Sequence, residues 1–435
     1  MTDLSNIIEY SSHLFKNYCT LYTQCIIIDL LGCACGITHI FKEELIMNPA
    51  DFLTEQIKAI PPSGIRKFFD LAAEMDDVLS LSIGEPDFST PMSFCEAAIE
   101  SLKEGKTAYS ANMGMIELRQ EISKYLERLT GNKYDAKSEI LVTVGGSEAV
   151  DISFRAIVED GDEVIIPEPA FVAYRPCVEL TGGVAVSMPL SFEDGFKIDA
   201  KKVEQYITPK TKAILLNFPG NPTGVVMEKD ELEALAEVCV KHNLCVVSDE
   251  IYAELVYGQK HTSIASFPGM RERTIVISGV SKAFAMTGWR LGYLAAPAEM
   301  VKGIAKVHQF ALMCAPTMSQ YAALEAFKHG EPEVKKMTEE YDRRRQYIVK
   351  RLRGMGLEIS EPKGAFYAFP CIKSTGMTSA EFCEGLLNAE HVAVVPGTAF
   401  GDCGEGFIRI SYAASMDTIE KAMDKMEKYI NSLKK

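Results

Sequence analysis

The sequence predicts an α/β protein built on a mostly parallel sheet that helices cover on both faces. From Glu139 to Ser278, short apolar strands alternate with helices, which is typical of strand–helix–strand units. A chain of 435 residues is also long enough to form two domains. The predicted strands of the large domain are Ile140–Val144, Val164–Pro167, Ala213–Asn217, Cys245–Ser248 and Thr274–Ser278.

Residues 1–46 differ from the rest of the chain, and we expect them to form an extension outside the folded domains. The apolar run Cys25–Ile40 is interrupted by Asp29 and is shorter than a membrane-spanning helix. Acidic residues precede it, whereas a secretory signal begins with basic ones. Met47 is a natural start for the folded part, because an amphipathic helix is predicted over Asn48–Ile60. A membrane anchor is the alternative interpretation of the extension.

Further elements lead from this helix to the large domain. Pro61 and Pro62 end the first helix, and apolar positions in Ile65–Ala72 predict a second one. A strand is predicted over Val78–Ile83. The helix predicted over Met115–Leu129 has its apolar side chains on one face, as expected for a helix that packs on a core.

The pattern changes after Gly292 and predicts a separate α+β lobe. Helices are expected over roughly 298–355, and a closing helix starts at Met416. Short strands between them are predicted at Ala365–Phe369, Val392–Val395 and Phe407–Ser411. We therefore divide the chain into an extension (1–46), N-terminal helices that join the small domain (47–80), a large domain (81–325) and a small C-terminal domain (326–435).

The composition is that of an ordinary soluble globular protein, with 47% hydrophobic and 24% charged residues. A net charge of −15 at pH 7 argues against nucleic acid or an anionic membrane as the main partner. An anionic ligand must then be held by local donors. The 12 cysteines are scattered without the spacing of a zinc site, so we expect reduced thiols, no metal and a cytoplasmic location.

Glycines and polar side chains follow the predicted strands where the strands end. Ligands of open α/β sheets bind outside these carboxyl ends. Gly145, Gly146 and Ser147 open a helix after the first strand, so they form a candidate anion site with free backbone N–H groups. Asn221 lies in a rigid turn of prolines and glycines that follows Asn217.

Asp249 and Tyr252 lie just past another buried strand, three residues apart, where both can face one ligand. The alternative for Asp249 is a helix N-cap. The stretch Ser278–Tyr293 follows the last strand and brings Lys282 and Arg290 close together among small residues. Lys282 is either a solvated lysine, the usual case, or a partly desolvated amine whose lowered pKa suits it to Schiff-base formation.

Together the strand ends supply an amine, a carboxylate, a phenol, an amide, an arginine and a phosphate cradle. An aromatic aldehyde phosphate needs this set of groups: an amine for its aldehyde, an anion for its protonated ring nitrogen, and donors for its phenolate and phosphate. The residues Gly279-Val280-Ser281-Lys282, then Ala285-Met286, then Gly288-x-Arg290-Leu291-Gly292 resemble the cofactor-attachment signature of class I/II aminotransferases. Those proteins are pyridoxal-phosphate enzymes of fold type I.

The resemblance covers about Asn48–Lys435, and the sequence is most similar to the bacterial and archaeal subgroup that acts on aspartate or aromatic amino acids. It implies that Lys282 carries the Schiff base with pyridoxal 5′-phosphate and later shuttles the proton. It also implies that Asp249 pairs with the pyridine nitrogen. By the same resemblance, Tyr252 and Asn221 bond the phenolic oxygen of the cofactor.

Further roles follow from the same resemblance. Phe171 matches the aromatic residue that stacks on the cofactor ring. Tyr109 matches a tyrosine that reaches the phosphate across a dimer interface. The residues implied to hold the phosphate within the chain are Gly146, Ser147 and Arg290.

The substrate is implied to bind beside the cofactor. Arg409 matches the arginine that grips the α-carboxylate, for which the bidentate guanidinium is suited and a lysine is not. Gly84 matches a loop glycine that lines the same carboxylate site, and Asn221 is implied to contact the substrate as well as the cofactor.

Two departures from the family pattern bear on the site. Gly279 stands where the family has serine or glycine, so one phosphate hydroxyl is missing, and Ser278 and Ser281 are both candidates to replace it. The interval between Arg290 and Arg343 contains no arginine, whereas aspartate aminotransferases use a partner-subunit arginine there for the substrate side chain.

We therefore predict a homodimeric pyridoxal-phosphate aminotransferase with a ping-pong mechanism. The expected donor is an L-amino acid of the aspartate, aromatic or alanine-like type, and the expected acceptor is a 2-oxo acid such as 2-oxoglutarate. A C–S or β-lyase on the same fold is the alternative enzyme. A pyridoxal-phosphate-binding regulator is a remote alternative, because residues 1–46 are too short and too weakly basic for a DNA-binding module.

Overall fold

The structure, a computed structural model, describes residues 48–62, 64, 75 and 77–433. The chain separates into two compact units, one that ends at Ala59 and one that begins at Ile60. The predicted extension 1–46, the start at Met47 and the second predicted helix, Ile65–Ala72, lie outside the described residues.

The helix predicted over Asn48–Ile60 is wrong as a single element. It consists of a 3-10 turn at Pro49–Phe52 and a short helix, α1, at Glu55–Ala59. Leu53 between them has an extended backbone, with φ −76° and ψ 141°. The physical reason is a second cap: Oγ1 of Thr54 accepts a hydrogen bond from the N–H of Ile57 at 3.3 Å, so a new helix starts there.

The second unit contains the strands and the remaining helices. The strands are β1 (Leu79–Ser80), β2 (Ile140–Thr143), β3 (Glu163–Glu168), β4 (Val184–Pro189), β5 (Thr211–Asn217), β6 (Cys245–Asp249), β7 (Thr274–Gly279), β8 (Gly292–Ala295), β9 (Tyr367–Ala368), β10 (Val392–Ala393), β11 (Val395–Pro396) and β12 (Ile408–Ser411). The helices are α2 (Met92–Lys103), α3 (Ile116–Thr130), α4 (Gly145–Ile157), α5 (Tyr174–Glu179), α6 (Ala200–Val203), α7 (Lys229–Lys241), α8 (Ala298–Ala311), α9 (Thr317–His329), α10 (Glu331–Gly354), α11 (Ser379–Glu390) and α12 (Met416–Leu433).

Seven strands form the main sheet in the order β2-β8-β7-β6-β5-β3-β4. Strands β3 to β7 pair in parallel, and β8 runs antiparallel to both of its neighbours. The mostly parallel α/β sheet predicted from the sequence is confirmed. Two of its strands, β4 and β8, were not predicted, because β4 is a partly exposed edge strand and β8 begins at the end of the Lys282 motif.

Alternate side chains of the central strands pack on opposite faces of the sheet. Ile275 and Ile277 of β7 join a core with α4 and α8 on one face. Val246 of β6 and Ile214 of β5 join a second core with α7 on the other face. This two-sided burial explains why the strands are continuous apolar runs.

The C-terminal lobe has two small sheets and three long helices, α10, α11 and α12. Its antiparallel sheet has the order β11-β12-β9, and β1 pairs in parallel with β10. Strand β1 covers only Leu79–Ser80 of the predicted Val78–Ile83, because the chain leaves the sheet and turns its carbonyl groups at Ser82 and Gly84 toward other side chains. The domain boundaries remain a prediction.

Candidate active site

A cavity of about 650 Å³ lies beyond the carboxyl ends of β5, β6 and β7, where sheets of this kind bind ligands. The register of the strands aligns Asn217, Asp249 and Ile277, so the residues that follow each strand meet at one edge. Ten of the eleven residues predicted for the site line this cavity: Gly84, Gly146, Ser147, Phe171, Asn221, Asp249, Tyr252, Lys282, Arg290 and Arg409.

Lys282 lies in the turn that follows β7, and its amine faces the cavity. Its Nζ donates a hydrogen bond of 2.6 Å to the carbonyl oxygen of Gly84. The pKa of Lys282 is lowered to about 8, mainly by burial and also by the charges of Arg409 and Arg290, while Glu85 and Asp249 oppose the change. The structure therefore favours the desolvated amine over the solvated lysine, and half of this amine is deprotonated at about pH 8.

Asp249 ends β6 and is 8% exposed. Its Oδ2 accepts a hydrogen bond of 2.7 Å from the hydroxyl of Tyr174, and its Oδ1 accepts one of 3.1 Å from the N–H of Ile251. Burial raises the pKa of Asp249 to about 6, although both hydrogen bonds act to lower it. The carboxylate is not the cap of a regular helix, because no helix follows β6 directly.

The first turn of α4 forms one wall of the cavity, together with Arg290. Helix α4 begins at Gly145, so Gly146 and Ser147 lie in its first turn with the N–H groups that have no partner within the helix. A Cβ atom on Gly145 would lie 2.8 Å from Nη2 of Arg290, and one on Gly292 would lie 2.5 Å from the carbonyl carbon of Gly145. Glycine at both positions lets backbone and guanidinium form one anion cradle.

The structure separates the two candidate serines. Ser281 lines the cavity, whereas the hydroxyl of Ser278 turns away and donates to the carbonyl oxygen of Glu250 at 3.3 Å. Gly279 itself has no room for a side chain, since its Cβ would lie 2.9 Å from Cα of Gly292. The glycine at this position follows from the close pairing of β7 with β8.

Arg409 projects from β12 and is only 2% exposed. Its Nη1 donates to Oδ1 of Asn221 at 3.0 Å, and its Nη2 donates to the carbonyl oxygen of Ser82 at 2.6 Å. Its Nε is buried and has no hydrogen-bond partner among the described residues, and Arg409 makes no ion pair with them. A buried guanidinium without a counter-ion is a site for a carboxylate.

Two tyrosines of the site were missed by the sequence analysis. Tyr174 holds Asp249, and the hydroxyl of Tyr367 lies 2.8 Å from the hydroxyl of Tyr252. The position of Tyr174, three residues after Phe171, is a weak signal that both rings lie on one side of a turn. Tyr367 carries no such signal, because it is 115 residues from its partner in the sequence.

Tyr109 is the one predicted site residue that does not line the cavity of its own chain. It is 80% exposed, and the segment that contains Phe310, Leu312 and Met313 also has exposed apolar side chains. A hydrogen bond of 2.5 Å from Nδ2 of Asn112 to the carbonyl oxygen of Met313 joins the two segments.

The residues around the cavity fit pyridoxal phosphate. The fit rests on the orphaned Nε of Arg409, the cradle that a Cβ on Gly145 or Gly292 would fill, and the desolvated amine of Lys282. A buried carboxylate, Asp249, lies in the same cavity. Within the described part of the chain, no cluster of His, Cys, Asp and Glu side chains could hold a metal ion.

The fold and the cavity define a class of protein, the aminotransferase-like enzymes of fold type I. Solved structures of the same architecture include the aspartate aminotransferase of Thermus thermophilus with maleate, at a TM-score of 0.83 and 38% identity over 87% of this chain and 99% of that one. The aromatic aminotransferase of Pyrococcus horikoshii has a TM-score of 0.81 and 46% identity over 85% of this chain and 99% of that one.

Comparison with related sequences identifies the family within this class. The model of the family "aminotransferase class I and II" matches residues 76–426. The putative aminotransferase YugH of Bacillus subtilis is 53% identical over 87% of this chain and 98% of its own, and the aspartate aminotransferase of Pyrococcus abyssi is 47% identical over 88% and 99%. The chain belongs to the aminotransferase class I and II family and is an aminotransferase, as predicted. Enzymes of this family use pyridoxal phosphate.

The comparisons give no support to the lyase alternative. Among the helices that the structure describes, none combines the length and the apolar character needed to cross a membrane. The membrane anchor considered for residues 1–46 lies outside the described residues.

Proposed function

We propose that this aminotransferase binds pyridoxal 5′-phosphate at Lys282 and transfers the amino group of an L-amino acid to a 2-oxo acid. The observation that carries the proposal is a desolvated Lys282 amine in the same cavity as a buried Asp249 carboxylate and the anion cradle of α4. When bound, the cofactor supplies a carbonyl that condenses with amines and a ring that accepts the electron pair released by loss of the α-proton.

In this proposal, residues at and after the ends of β5 and β6 hold the cofactor ring. Asp249 pairs with the protonated ring nitrogen, and a carboxylate held by Tyr174 is oriented for that contact. Tyr252 and Asn221 donate to the phenolic oxygen. Phe171 also lines the cavity, where its ring would pack against the ring of the cofactor.

The phosphate group is held by the N–H groups at Gly146 and Ser147, by the hydroxyl of Ser147, and by Arg290. Because Ser281 faces the cavity and Ser278 does not, we assign to Ser281 the hydroxyl that Gly279 lacks. The overall charge of −15 is repulsive to a phosphate, so these local donors must supply the attraction.

Lys282 also moves the proton of the substrate. Its pKa of about 8 lets part of the Nζ amine be neutral, so that it could accept the α-proton of the substrate. The carbonyl oxygen of Gly84, which accepts from Nζ at 2.6 Å, keeps the amine on the side of the cavity where the substrate binds.

Arg409 and Gly84 bind the α-carboxylate that all amino-acid substrates share. The cations among the described lining residues are Lys282, Arg290 and Arg409, and each already has a role. No further cation among these lining residues is left to bind the side-chain carboxylate of aspartate. This supports an aromatic or alanine-like donor over aspartate. Relatives named for both aspartate and aromatic amino acids make either donor compatible with the family.

We further propose a cytoplasmic homodimer in which Tyr109 reaches the site of the partner subunit. Its exposure, and its absence from the lining of its own cavity, support this placement. We keep the domain boundaries predicted above. The pairing of β1 with β10 supports joining Leu79 and Ser80 to the small domain.

The first test is the visible absorbance of the purified protein after addition of pyridoxal phosphate. Wild type should show an absorbance band that Lys282→Ala lacks. Lys350→Ala, which changes an exposed lysine on α10, is the control and should behave as wild type. A wild type without the band would contradict the proposal.

A second test identifies the donor. Aspartate, alanine, phenylalanine, tyrosine and leucine are each offered with 2-oxoglutarate, and the 2-oxo acid and ammonia formed are measured. Transamination predicts a 2-oxo acid without ammonia, with phenylalanine and tyrosine faster than aspartate. Release of ammonia in amounts equal to the product would indicate a lyase instead.

A further inference from the structure

Tyr367 of β9 contacts two different groups of the site and is only 1% exposed. Its hydroxyl lies 2.8 Å from the hydroxyl of Tyr252 and 3.4 Å from the carbonyl oxygen of Gly84. The guanidinium carbon of Arg409 lies 4.7 Å from the centre of its ring. One side chain therefore joins the phenol of Tyr252 to the cation of Arg409.

The two distances favour Tyr252 over Gly84 as the acceptor for the single proton of the Tyr367 hydroxyl. The carbonyl oxygen of Gly84 already accepts from Nζ of Lys282 at 2.6 Å, and 3.4 Å is too long for a strong O–H···O bond. Tyr252, at 2.8 Å, is the better acceptor. If Tyr252 accepts from Tyr367, its own proton is free to turn into the cavity.

The pKa values of the two phenols point in the same direction. Burial raises the pKa of both tyrosines and Arg409, which lies over the ring of Tyr367, opposes the rise in both. The pKa of Tyr252 is the one that lies well above its usual value. Tyr367 is thus the better proton donor of the pair. The other charged groups near these hydroxyls are Lys282 and Asp249.

We propose that Tyr367 is a positioning residue with two separable parts: its hydroxyl turns the proton of Tyr252 toward the cofactor, and its ring holds the guanidinium of Arg409 in place for the substrate carboxylate. This inference rests on the proposed function, because it needs Tyr252 beside the phenolic oxygen of the cofactor.

The absence of a side chain at Gly84 leaves room for the Tyr367 hydroxyl. A Cβ atom at Gly84 would lie 2.6 Å from the Tyr367 hydroxyl and 3.5 Å or more from the atoms of its ring. Alanine at position 84 would therefore displace the hydroxyl while leaving room for the ring. The structure thus offers two independent ways to disturb the same hydrogen bond.

The experiment compares Tyr367→Phe, Tyr367→Leu, Gly84→Ala and the double variant Gly84→Ala/Tyr367→Phe with wild type, each loaded with pyridoxal phosphate. Three quantities are measured: kcat and KM for the preferred amino acid, the position of the visible band, and the Kd of the cofactor for stripped protein. Tyr412→Phe is the control. It removes a hydroxyl from another fully buried tyrosine of the same core, one that does not line the cavity.

Tyr367→Phe should lower kcat about three- to tenfold, because the loss of one hydrogen bond changes the rate by about that factor. Its KM should stay unchanged. Its visible band should shift and its cofactor Kd should rise. Tyr367→Leu should also raise KM, by about tenfold, because the ring below Arg409 is lost. Gly84→Ala should reproduce the fall in kcat in the wild-type background and have little further effect in Tyr367→Phe.

The outcomes separate this inference from the function on which it rests. A wild type without a visible band would overturn both. A wild type with the band, together with a Tyr367→Phe variant that matches it in kcat, band and Kd, would overturn the inference alone. If Tyr367→Phe does not fold, Gly84→Ala decides, since unchanged kcat and band in that variant would overturn the inference.

Discussion

The hydroxyl of Tyr174 donates a 2.7 Å hydrogen bond to Oδ2 of Asp249. The N–H of Ile251 donates to the other oxygen of the same carboxylate at 3.1 Å. These donors replace only part of the water that the carboxylate loses, so burial still raises the pKa of Asp249 to about 6. The ionised carboxylate of Asp249 is therefore destabilised by burial. This lowers the free energy of unfolding when Asp249 is ionised.

We expect Asp249→Asn to make the cofactor-free protein more stable at neutral pH. The pKa of Asp249 rises from 3.8 to about 6 on folding, so the folded chain binds more protons than the unfolded chain between these values. Stability due to this group therefore falls as pH rises through that window, by about 3 kcal/mol in total. Urea unfolding at a series of pH values, with wild type and the variant in parallel, measures the difference.

The variant should gain stability relative to wild type between about pH 4 and pH 6, and the gain should then level off. Activity should be lost, because an amide does not keep a ring nitrogen protonated. A difference between the two proteins that does not change with pH would contradict the raised pKa of Asp249.

Loading of the cofactor should depend on the protonation of Lys282. Because its pKa is lowered to about 8, the neutral amine that attacks the aldehyde increases about tenfold per pH unit below 8 and levels off above it. Stopped-flow absorbance after mixing stripped protein with excess cofactor measures the rate. Glu85→Gln should move the midpoint to lower pH, since Glu85 raises the pKa of Lys282. A rate that is flat on both sides of pH 8 would disagree with a desolvated lysine.

Arg409→Lys should reduce kcat/KM for every amino acid by a similar factor, because the α-carboxylate is common to all of them. Loss of the paired, charge-assisted hydrogen bonds predicts a decrease of about 10- to 100-fold. Steady-state kinetics with two chemically different donors would measure it. Arg343→Lys, which changes an arginine that is 60% exposed, is the matched control and should leave the kinetics unchanged. A decrease confined to one donor would indicate that Arg409 binds a side chain.

Gly292→Ala should destabilise the protein by about 1–3 kcal/mol, because its Cβ would lie 2.5 Å from the backbone of Gly145. Since Gly145 opens the anion cradle, cofactor affinity should decrease as well. Gly303→Ala in α8 is the control, because nothing lies within 4 Å of its Cβ. That variant should gain up to about 1 kcal/mol from helix propensity. Equal melting temperatures for the two variants would contradict the close approach of β8 to α4.

Much of the site could be predicted from the chain, and the reason is geometric. The carboxyl ends of parallel strands meet at one edge, so the residues after β5, β6 and β7 come together whenever the sheet forms. Asn221, Asp249 and Lys282 follow this rule. The N-terminal helix over Asn48–Ile60 could not be predicted as well, because an amphipathic pattern does not reveal the second cap at Thr54.

The chemistry of the site was determined by the sequence alone: an amine, a carboxylate and an anion cradle at neighbouring strand ends, in the motif around Lys282. The tertiary structure decided the pKa values and the contacts of these groups. It lowered the pKa of Lys282, raised that of Asp249, placed Ser281 in the lining of the cavity, and placed Tyr367 between Tyr252 and Arg409. Burial and contacts between distant segments are properties of the packed chain, and no local pattern in the sequence encodes them.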